Sequence, residues 1–297
     1  MTAARCDVAP PALHLVLPEA DLPSSGAECP SSCGAALERQ WRTSEWVMLT
    51  RQAEHGKPLI GFPSPRQPAD LAWHRWLVGH QVTFLEWSLL RDVLTHEQSA
   101  PAEEVVRLLD LYSALLLYAG SCSPALYHHI VRPRMAQAHP AFSGEWARDY
   151  QGLPRLLKRA ADAGPPAMAQ AARRNHRVHA AVAAHLVPEG ASLLQQAGRG
   201  AGEEPSQQEA DLYDRFFLSR RGPVCRHALK AQLLPRLLWV IADLESRGLY
   251  YASPPLSQQA LPTAREHLVQ TEETIQTRLR QQAVQLAYSL ESNTAQP

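Results

Sequence analysis

Two helical stripes in this 297-residue chain carry a histidine on an otherwise apolar face. The members of each stripe recur at i, i+3, i+7 and i+10, a spacing that keeps their side chains on one side of a helix. The stripes are Leu77, His80, Phe84 and Trp87, and Asn175, Val178, Val182 and His185. A buried imidazole or amide without a partner costs about 1–3 kcal/mol. Each polar member therefore needs either a backbone group, as an ordinary core residue has, or a bound ligand.

The other histidines fit a zinc or di-iron site poorly. His176 and His179 stand at i, i+3 and could share one metal, but no HExxH motif or Glu-x-x-His pair accompanies them. His128 and His129 are adjacent and point in different directions on a helix. The five cysteines are irregularly spaced and form no paired CxxC motif. The absence of GxSxG, GxGxxG and Walker-type glycine motifs disfavours a serine hydrolase and a nucleotide cofactor.

Heme b is the remaining cofactor that requires few protein ligands. It needs a neutral imidazole for its iron, apolar walls for its ring and cations for its propionates. The helix of the second stripe offers small alanines beside its histidines, and Arg173, Arg174 and Arg177 could reach the propionates. A solvated basic face is the alternative meaning of these three arginines.

The elements that would position these residues are predicted to be helices. Residues 1–35 are interpreted as a Pro- and Cys-rich arm, partly extended, and residues 36–297 as one all-α domain that binds the heme. Helices are predicted over 36–53, over 71–97 with Asp70 as its cap, over 102–119 with Gly120 as its stop, and over 165–187. Residues 124–135 are predicted to break at Pro133, residues 139–154 to form a loop, and residues 211–221, 226–248 and 263–291 to form three further helices. Alternating β-branched strands are absent, so the predicted fold class is all-α.

Composition argues against several classes of function. Lys+Arg and Asp+Glu number 29 each, and this balance argues against a nucleic-acid binder, which normally has a basic excess. The sequence has no run of about 18 apolar residues and no leader-like amino terminus. These features predict a cytoplasmic protein that binds neither nucleic acid nor membrane.

The first stripe also resembles a motif of a known superfamily. His80-Gln81, followed by Phe84, Leu85, Glu86 and Trp87, resembles the distal-histidine helix of the tryptophan and indoleamine dioxygenases. That motif has His-Gln followed by Glu, Leu and Trp, and the order of the last three differs here. With the segments YAGSCSPALYHHIVRPRM and NHRVHAAVAAHLVPEGASLL, residues 70–195 are similar to the heme-dependent tyrosine hydroxylases of that superfamily. The resemblance implies a single helical domain with the tryptophan dioxygenase fold.

The same resemblance implies an activity. Such enzymes act in actinomycete pathways to the alkyl-proline units of antibiotics, where they hydroxylate L-tyrosine ortho to its phenol and give L-dihydroxyphenylalanine, with hydrogen peroxide as the expected oxidant. Carried onto this chain, His80 takes the catalytic distal position and hydrogen-bonds the phenol or the peroxide. His185 is the expected iron ligand, because it shares a stripe with Asn175 and the valines, and His176 is the alternative.

Candidate substrate-binding residues lie between and beside these histidines. Arg132 and Arg134 are candidates for gripping the amino-acid carboxylate, since a guanidinium can donate two bonds to it, and a surface ion pair is the alternative for either. The polar side of the pocket would be completed by Tyr127, Asn175 and Ser121. Its aromatic walls would be Trp76, Phe84 and Trp87, with plain core packing as the alternative for each.

Three other functions remain open from the sequence. The heme protein could act on another aromatic amino acid, tryptophan or methyltyrosine, because one ring methyl changes binding by only about 1–3 kcal/mol. It could also carry or sense heme without turnover. A heme-free helical interaction module, with His80 and His185 as core residues, is the remaining alternative. Large apolar helices make a homodimer the expected assembly.

Overall fold

Helices form nearly all of the regular structure in the computed structural model. The structure describes residues 14–19, 42–96, 101–188, 190–200, 202–251, 253–260 and 262–294. The helices are α1 (Thr43–Glu54), α2 (Pro68–His96), α3 (Ala102–Ala119), α4 (Arg132–Ala138), α5 (Leu153–Ala163), α6 (Pro166–Leu186), α7 (Leu193–Gln196), α8 (Gln207–Phe216), α9 (Arg226–Arg247), α10 (Leu256–Gln259) and α11 (Pro262–Thr294). The strands are β1 (Leu15–Leu17) and β2 (Ser219–Arg221). The predicted all-α fold class is confirmed.

Helix α3 lies at the centre of the bundle, as its almost continuous apolar sequence indicates. It packs against α2, α6 and α11, while α9 packs against α2 and α11. Ala114, Leu115 and Tyr118 of α3 are wholly buried. The helix has the predicted bounds, because acidic residues fill its first turn and Gly120 forms its C-cap. The two helices that carry the histidine stripes, α2 and α6, therefore lie on either side of one core helix.

Glycines allow α3 to approach both neighbours closely. A Cβ added to Gly79 of α2 would lie 2.8 Å from the Cβ of Ala119, and one added to Gly120 would overlap a methyl group of Val182 on α6. Real Cβ atoms essentially never show such separations. The two stripe-bearing helices are thus fixed against α3 near its carboxyl end, where the segment with the candidate substrate residues begins.

The chain does not break at Pro133, contrary to the sequence prediction. A helical turn over Pro124–Leu126 continues through a π-helix over Tyr127–Val131 into α4, and Pro133 occupies the first turn of that helix. Proline lacks an N–H and is accommodated in a first turn, and the wider π turn precedes it here. Single π turns of this kind occur often at functional sites.

Two other local predictions were wrong. Asp70 does not cap α2, because the helix begins at Pro68 and Asp70 lies within its first turn. Helix α5 was not predicted at all, and it begins at Leu153, within the last two residues of the expected loop, with Pro154 in its first turn. Gly152 is the residue just before this helix, and its φ of +78° is a left-handed conformation that glycine adopts without strain. It was interpreted from the sequence as part of the loop.

One short parallel sheet joins the amino-terminal arm to the helical body. Leu15–Leu17 pairs with Ser219–Arg221, although no strand was predicted and the helix predicted over 211–221 in fact ends at Phe216. The free edge of β1 is closed by the Gln232 amide, which donates to the Val16 carbonyl (2.9 Å) and accepts from the Val16 N–H (2.8 Å). Most of the predicted arm, and the first residues of the helix predicted from 36, lie outside the described residues.

Within the described chain, no single helix is both long and apolar enough to cross a membrane. The bent pair formed by Ala102–Ala119 and Pro124–Ala138 meets the length and composition criteria only when the two are taken together.

Candidate functional site

The His80 ring lies half-buried in an aromatic shell on α2. It stacks on Phe217 with ring centroids 4.6 Å apart and planes 13° apart, and it lies 4.4 Å from the Trp76 ring. Its Nδ1 is 2.7 Å from the Trp76 carbonyl oxygen, which can only accept, so Nδ1 donates the hydrogen. In the neutral ring this leaves a lone pair on Nε2. Donation to a backbone carbonyl is the usual way in which proteins orient a ligating or catalytic imidazole.

Burial keeps the His80 imidazole neutral. Loss of solvation lowers its pKa from the ordinary 6.5 to about 4, and the hydrogen bond to the Trp76 carbonyl opposes this only in part. At neutral pH the ring is therefore an acceptor at Nε2. A neutral imidazole with a free lone pair can accept a hydrogen bond from a phenol or peroxide, or bind iron.

The π turn after α3 brings Tyr127 and Arg132 towards the same shell. The buried Tyr127 ring lies 5.6 Å from that of Trp76. Burial raises the pKa of the Tyr127 phenol, and the nearby Arg132 guanidinium opposes that rise. Arg132 also donates to the Ala191 carbonyl at 3.0 Å, which joins the turn to the chain after α6. These contacts place a phenol one aromatic ring away from His80 and a cation beside that phenol.

His185 lies in a different environment, in an open cavity of about 680 Å³ between α6 and the α10–α11 segment. The cavity is lined by Pro124, His176, Arg177, Ala180, Ala181, Ala184, His185, Pro188, Leu256, Gln259, Ala260 and Ala264. His185 donates from Nε2 to the Cys122 carbonyl at 3.1 Å, so its free lone pair is on Nδ1. Both predicted iron ligands, His185 and His176, thus face one mainly apolar cavity.

Each stripe histidine therefore bonds to a backbone carbonyl, as the core-residue alternative requires. The other ring nitrogen, Nε2 in His80 and Nδ1 in His185, has no such bond to a backbone carbonyl. His80 is not among the residues that line the α6 cavity. The two sites are connected through residues 121–132, since the Cys122 carbonyl holds His185 and the Tyr127 ring lies against Trp76.

The remaining predicted substrate residues have partners within the protein. Asn175 donates to Ser113 of α3 at 3.2 Å. Ser121 accepts from the buried Arg75 guanidinium (2.9 Å), which also pairs with Asp243 (2.7 Å). Arg134 is exposed, with its guanidinium 4.6 Å from the centre of the Trp73 ring. These contacts do not depend on a ligand.

The predicted aromatic walls divide into two groups. Trp76 and Phe84 both contact His80, whereas Trp87 lies one turn further along α2, against Tyr112 and Tyr150. Phe217, which stacks on His80, was missed by the sequence analysis. Its signal is the Phe-Phe pair at 216–217 in a chain that has only five phenylalanines.

The three arginines considered for propionates also differ in their surroundings. Arg174 pairs with Asp110 of α3 at 2.7 Å, and Arg173 is exposed on α6. Arg177 lines the α6 cavity and contacts the His267 ring. Arg177 is thus the one of the three that reaches the cavity holding His176 and His185.

The residues of this region are chemically compatible with a heme. The α6 cavity combines two imidazoles, alanine and leucine walls and one arginine, which are the groups that iron, a porphyrin ring and a propionate require. The Trp76 indole N–H, next to His80, is buried without a hydrogen-bond partner among the described residues. Buried polar atoms of this kind need a ligand or water to satisfy them. No group of three His, Cys, Asp or Glu side chains that could hold a bare metal ion occurs in the described part of the chain.

Comparison with known proteins points to the same chemistry. Residues 40–175 match the family described as SfmD 3-methyl-L-tyrosine peroxygenase. The match covers a little under half of the chain and includes His80, Trp76, Tyr127 and Arg132, but it ends before His176, His185 and the Phe217 that stacks on His80. It supports a relationship to heme-dependent peroxygenases that act on tyrosine derivatives. No curated protein matches the chain.

Proposed function

We propose that this protein is a heme-dependent peroxygenase that uses hydrogen peroxide to hydroxylate the ring of a tyrosine-type amino acid. The observation that carries the proposal is the peroxygenase match over residues 40–175, because it includes a neutral His80 whose Nε2 is free to accept. The proposal retains L-tyrosine as substrate and L-dihydroxyphenylalanine as product, in the supply of alkyl-proline units.

The cavity beside α6 is the proposed heme site. His185 would ligate the iron, with His176 as the alternative, and Arg177 would pair with a propionate. Bound heme would supply the redox chemistry that transfers an oxygen atom from peroxide to an aromatic ring. Neutral imidazole and apolar walls favour retention of such a group without a covalent link.

His80 is the proposed acid–base residue. Its Nε2 accepts a hydrogen bond from the substrate phenol or from peroxide, because a pKa of about 4 keeps the ring neutral at pH 7. The bond from Nδ1 to the Trp76 carbonyl fixes the orientation of the His80 ring, so that Nε2 is the nitrogen available to the substrate or peroxide in each turnover.

Arg132 is the proposed anchor for the amino-acid part of the substrate. Arg132 uses one nitrogen on the Ala191 carbonyl, and its other donors are proposed to bind the carboxylate. Tyr127, Trp76 and Phe84 would contact the substrate ring by edge or face packing. Arg134 is the alternative carboxylate ligand, and Asn175 and Ser121 would act through the helices that they join.

A ring-methylated tyrosine is the second candidate substrate, because the description of the matched family names 3-methyl-L-tyrosine. One methyl group in an apolar pocket changes discrimination by about 1–3 kcal/mol, so both amino acids could bind at measurable affinity. The two candidates differ in the ratio of kcat/KM values, which a side-by-side assay measures directly.

The test is the absorption spectrum of protein expressed with heme supplied, recorded with and without each amino acid. We expect a Soret band that shifts on addition of L-tyrosine or 3-methyl-L-tyrosine, and a catechol product by mass spectrometry after peroxide is added. A Soret band without product would favour a heme sensor or carrier. Absence of a Soret band would overturn the proposal and leave a helical interaction module.

A further inference from the structure

A second cavity, of about 450 Å³, lies between the amino-terminal ends of α3 and α9 and one side of α11. It is lined by Leu89, Pro101, Glu103, Glu104, Arg107, Leu108, Arg226, Lys230, Gln282, Gln285, Leu286 and Ser289. None of these residues lines the α6 cavity or contacts the His80 ring. The inference drawn here is therefore independent of the proposed function.

Three cations converge on this second cavity with incomplete compensation. Arg107 and Arg226 share one carboxylate, Glu104, at 3.5 and 3.4 Å, which are long distances for charge-assisted bonds. Glu103 is exposed at the rim. Lys230 donates to the Ser289 hydroxyl at 2.6 Å, and no carboxylate of the described residues lies within 4.0 Å of its ammonium.

Two buried groups near these cations lack hydrogen-bond partners among the described residues. The Nε of Arg226 is one, and the carboxyl of Glu86 on α2 is the other. Glu86 is wholly buried beside Arg107, and burial raises the pKa of its carboxyl well above the ordinary value of 4.5. Burial therefore disfavours the charged form of Glu86, although Arg107 opposes this, and weakens Glu86 as a partner for that cation.

The cations also disfavour one another. Burial and the like charges of Arg226 and Arg107 lower the pKa of Lys230, and the Glu104 carboxylate opposes this only in part. A bound anion would remove this repulsion, since it would interact favourably with all three side chains at once. The amino termini of α3 and α9, where Pro101 and Arg226 line the cavity, add partial positive charge.

We propose that this cavity binds a small oxyanion, the phosphate or carboxylate group of a soluble metabolite. Arg226 and Lys230 are its main ligands and Arg107 its third. Gln285 and Ser289 offer further polar contacts, and Leu108 and Leu286 offer an apolar wall for the rest of the metabolite. The volume lies within the usual range of small-molecule sites.

Isothermal titration of the full chain tests this, with inorganic phosphate and acetate as separate probes in buffers of equal ionic strength. We expect saturable binding of at least one probe, and the stronger one identifies the phosphate or carboxylate class. Lys230→Met and Arg226→Gln should each weaken that binding about tenfold or more, because each removes a charge-assisted bond. Arg173→Gln is the matched control, since it removes one positive charge from an exposed site on α6.

Two results would overturn the proposal. One is the absence of saturable binding of either probe to the wild-type protein. The other is binding that Lys230→Met and Arg226→Gln leave as strong as in Arg173→Gln. Circular dichroism of each variant identifies any that does not fold, and the other variant then decides. Neither result depends on heme, so failure here is distinguishable from failure of the peroxygenase proposal.

Discussion

At the scale of single residues, the two stripe histidines differ in which nitrogen they leave free. His80 leaves Nε2 free within an aromatic shell, and His185 leaves Nδ1 free beside an open apolar cavity. The first arrangement suits hydrogen bonding to a small substrate, and the second would suit ligation of the iron of a heme bound in the cavity. Spacing along a helix identifies the helix face on which a histidine lies, but it does not identify which ring nitrogen donates to a backbone carbonyl.

Substitution of His80 is therefore expected to separate chemistry from heme binding. His80→Ala should retain the Soret band and lower kcat/KM by about 10²-fold or more, which is the usual contribution of an acid–base residue. His185→Ala should instead weaken heme retention, measured by heme transfer to apomyoglobin. His55→Ala, at an exposed position, is the control. If His176→Ala loses heme and His185→Ala does not, the ligand assignment passes to His176.

At the scale of helices and loops, one wall of the α6 cavity is held by a single carboxylate. Glu272 of α11 accepts from the Tyr250 hydroxyl at 2.6 Å and from the Ser257 N–H at 3.0 Å, and it also accepts from the Ser257 hydroxyl at 2.5 Å. These bonds hold Tyr250 and Ser257, the latter in α10, against α11. At the other end of the loop, Arg75 donates to the Gly248 carbonyl at 2.7 Å.

Glu272→Gln should loosen this wall. The amide can accept at only one atom, so the bond with the Ser257 hydroxyl must reverse its direction and all three bonds lose their charge assistance, and we expect the free energy of unfolding to fall by about 1–3 kcal/mol. Urea unfolding measures the change. Glu273→Gln is a matched control because its carboxylate is exposed on the same helix. Equal stability of the two variants would show that Glu272 does not hold the loop.

The close contact between α2 and α3 at Gly79 also belongs to the scale of helices. Gly79→Ala should gain helix propensity of about 1 kcal/mol, but its Cβ would lie 2.8 Å from the Ala119 Cβ and 3.3 Å from the Ala119 Cα. The overlap with backbone should dominate and give a net destabilisation of about 1–3 kcal/mol. Gly144→Ala, which meets nothing within 4 Å, should be near neutral. Thermal unfolding of both variants tests this, and a stabilised Gly79→Ala would contradict it.

Sequence reasoning succeeded where local signals agreed and failed where distant segments decide. Helix α3 has its predicted bounds because its first-turn acids and Gly120 act locally. The β1–β2 pair could not be predicted, since its two short strands lie about 200 residues apart and meet only in the fold. For the same reason, the stripe spacing identified the buried face of α2 but not Phe217, which belongs to a different part of the chain.

At the scale of the whole molecule, buried neutral histidines connect stability to pH. His74 lies under Trp239, with ring centroids 4.9 Å apart, and burial lowers its pKa to about 4. The pKa of His80 is lowered to the same value for the same reason. Unfolding restores both rings to water and to a pKa near 6.5, so the unfolded chain binds more protons between these two values. Their contribution to stability is present above pH 6.5 and is lost as the pH falls towards 4.

The variant His74→Leu isolates one of these contributions. In the wild type, the imidazole Nε2 of His74 is buried without a partner among the described residues. Replacing this side chain with an apolar one should therefore change the stability little at pH 7.5. At pH 5 the variant should be more stable than the wild type, by at most about 1.4 kcal/mol per pH unit below 6.5. Buried Glu86 contributes with the opposite sign in both proteins and cancels from the difference. Urea unfolding at pH 7.5, 6.5 and 5 measures this difference, and His55→Leu, at an exposed position, serves as the control. A His74→Leu profile parallel to that of the wild type would show that His74 ionises without unfolding, and that the α2–α9 contact around it opens to water.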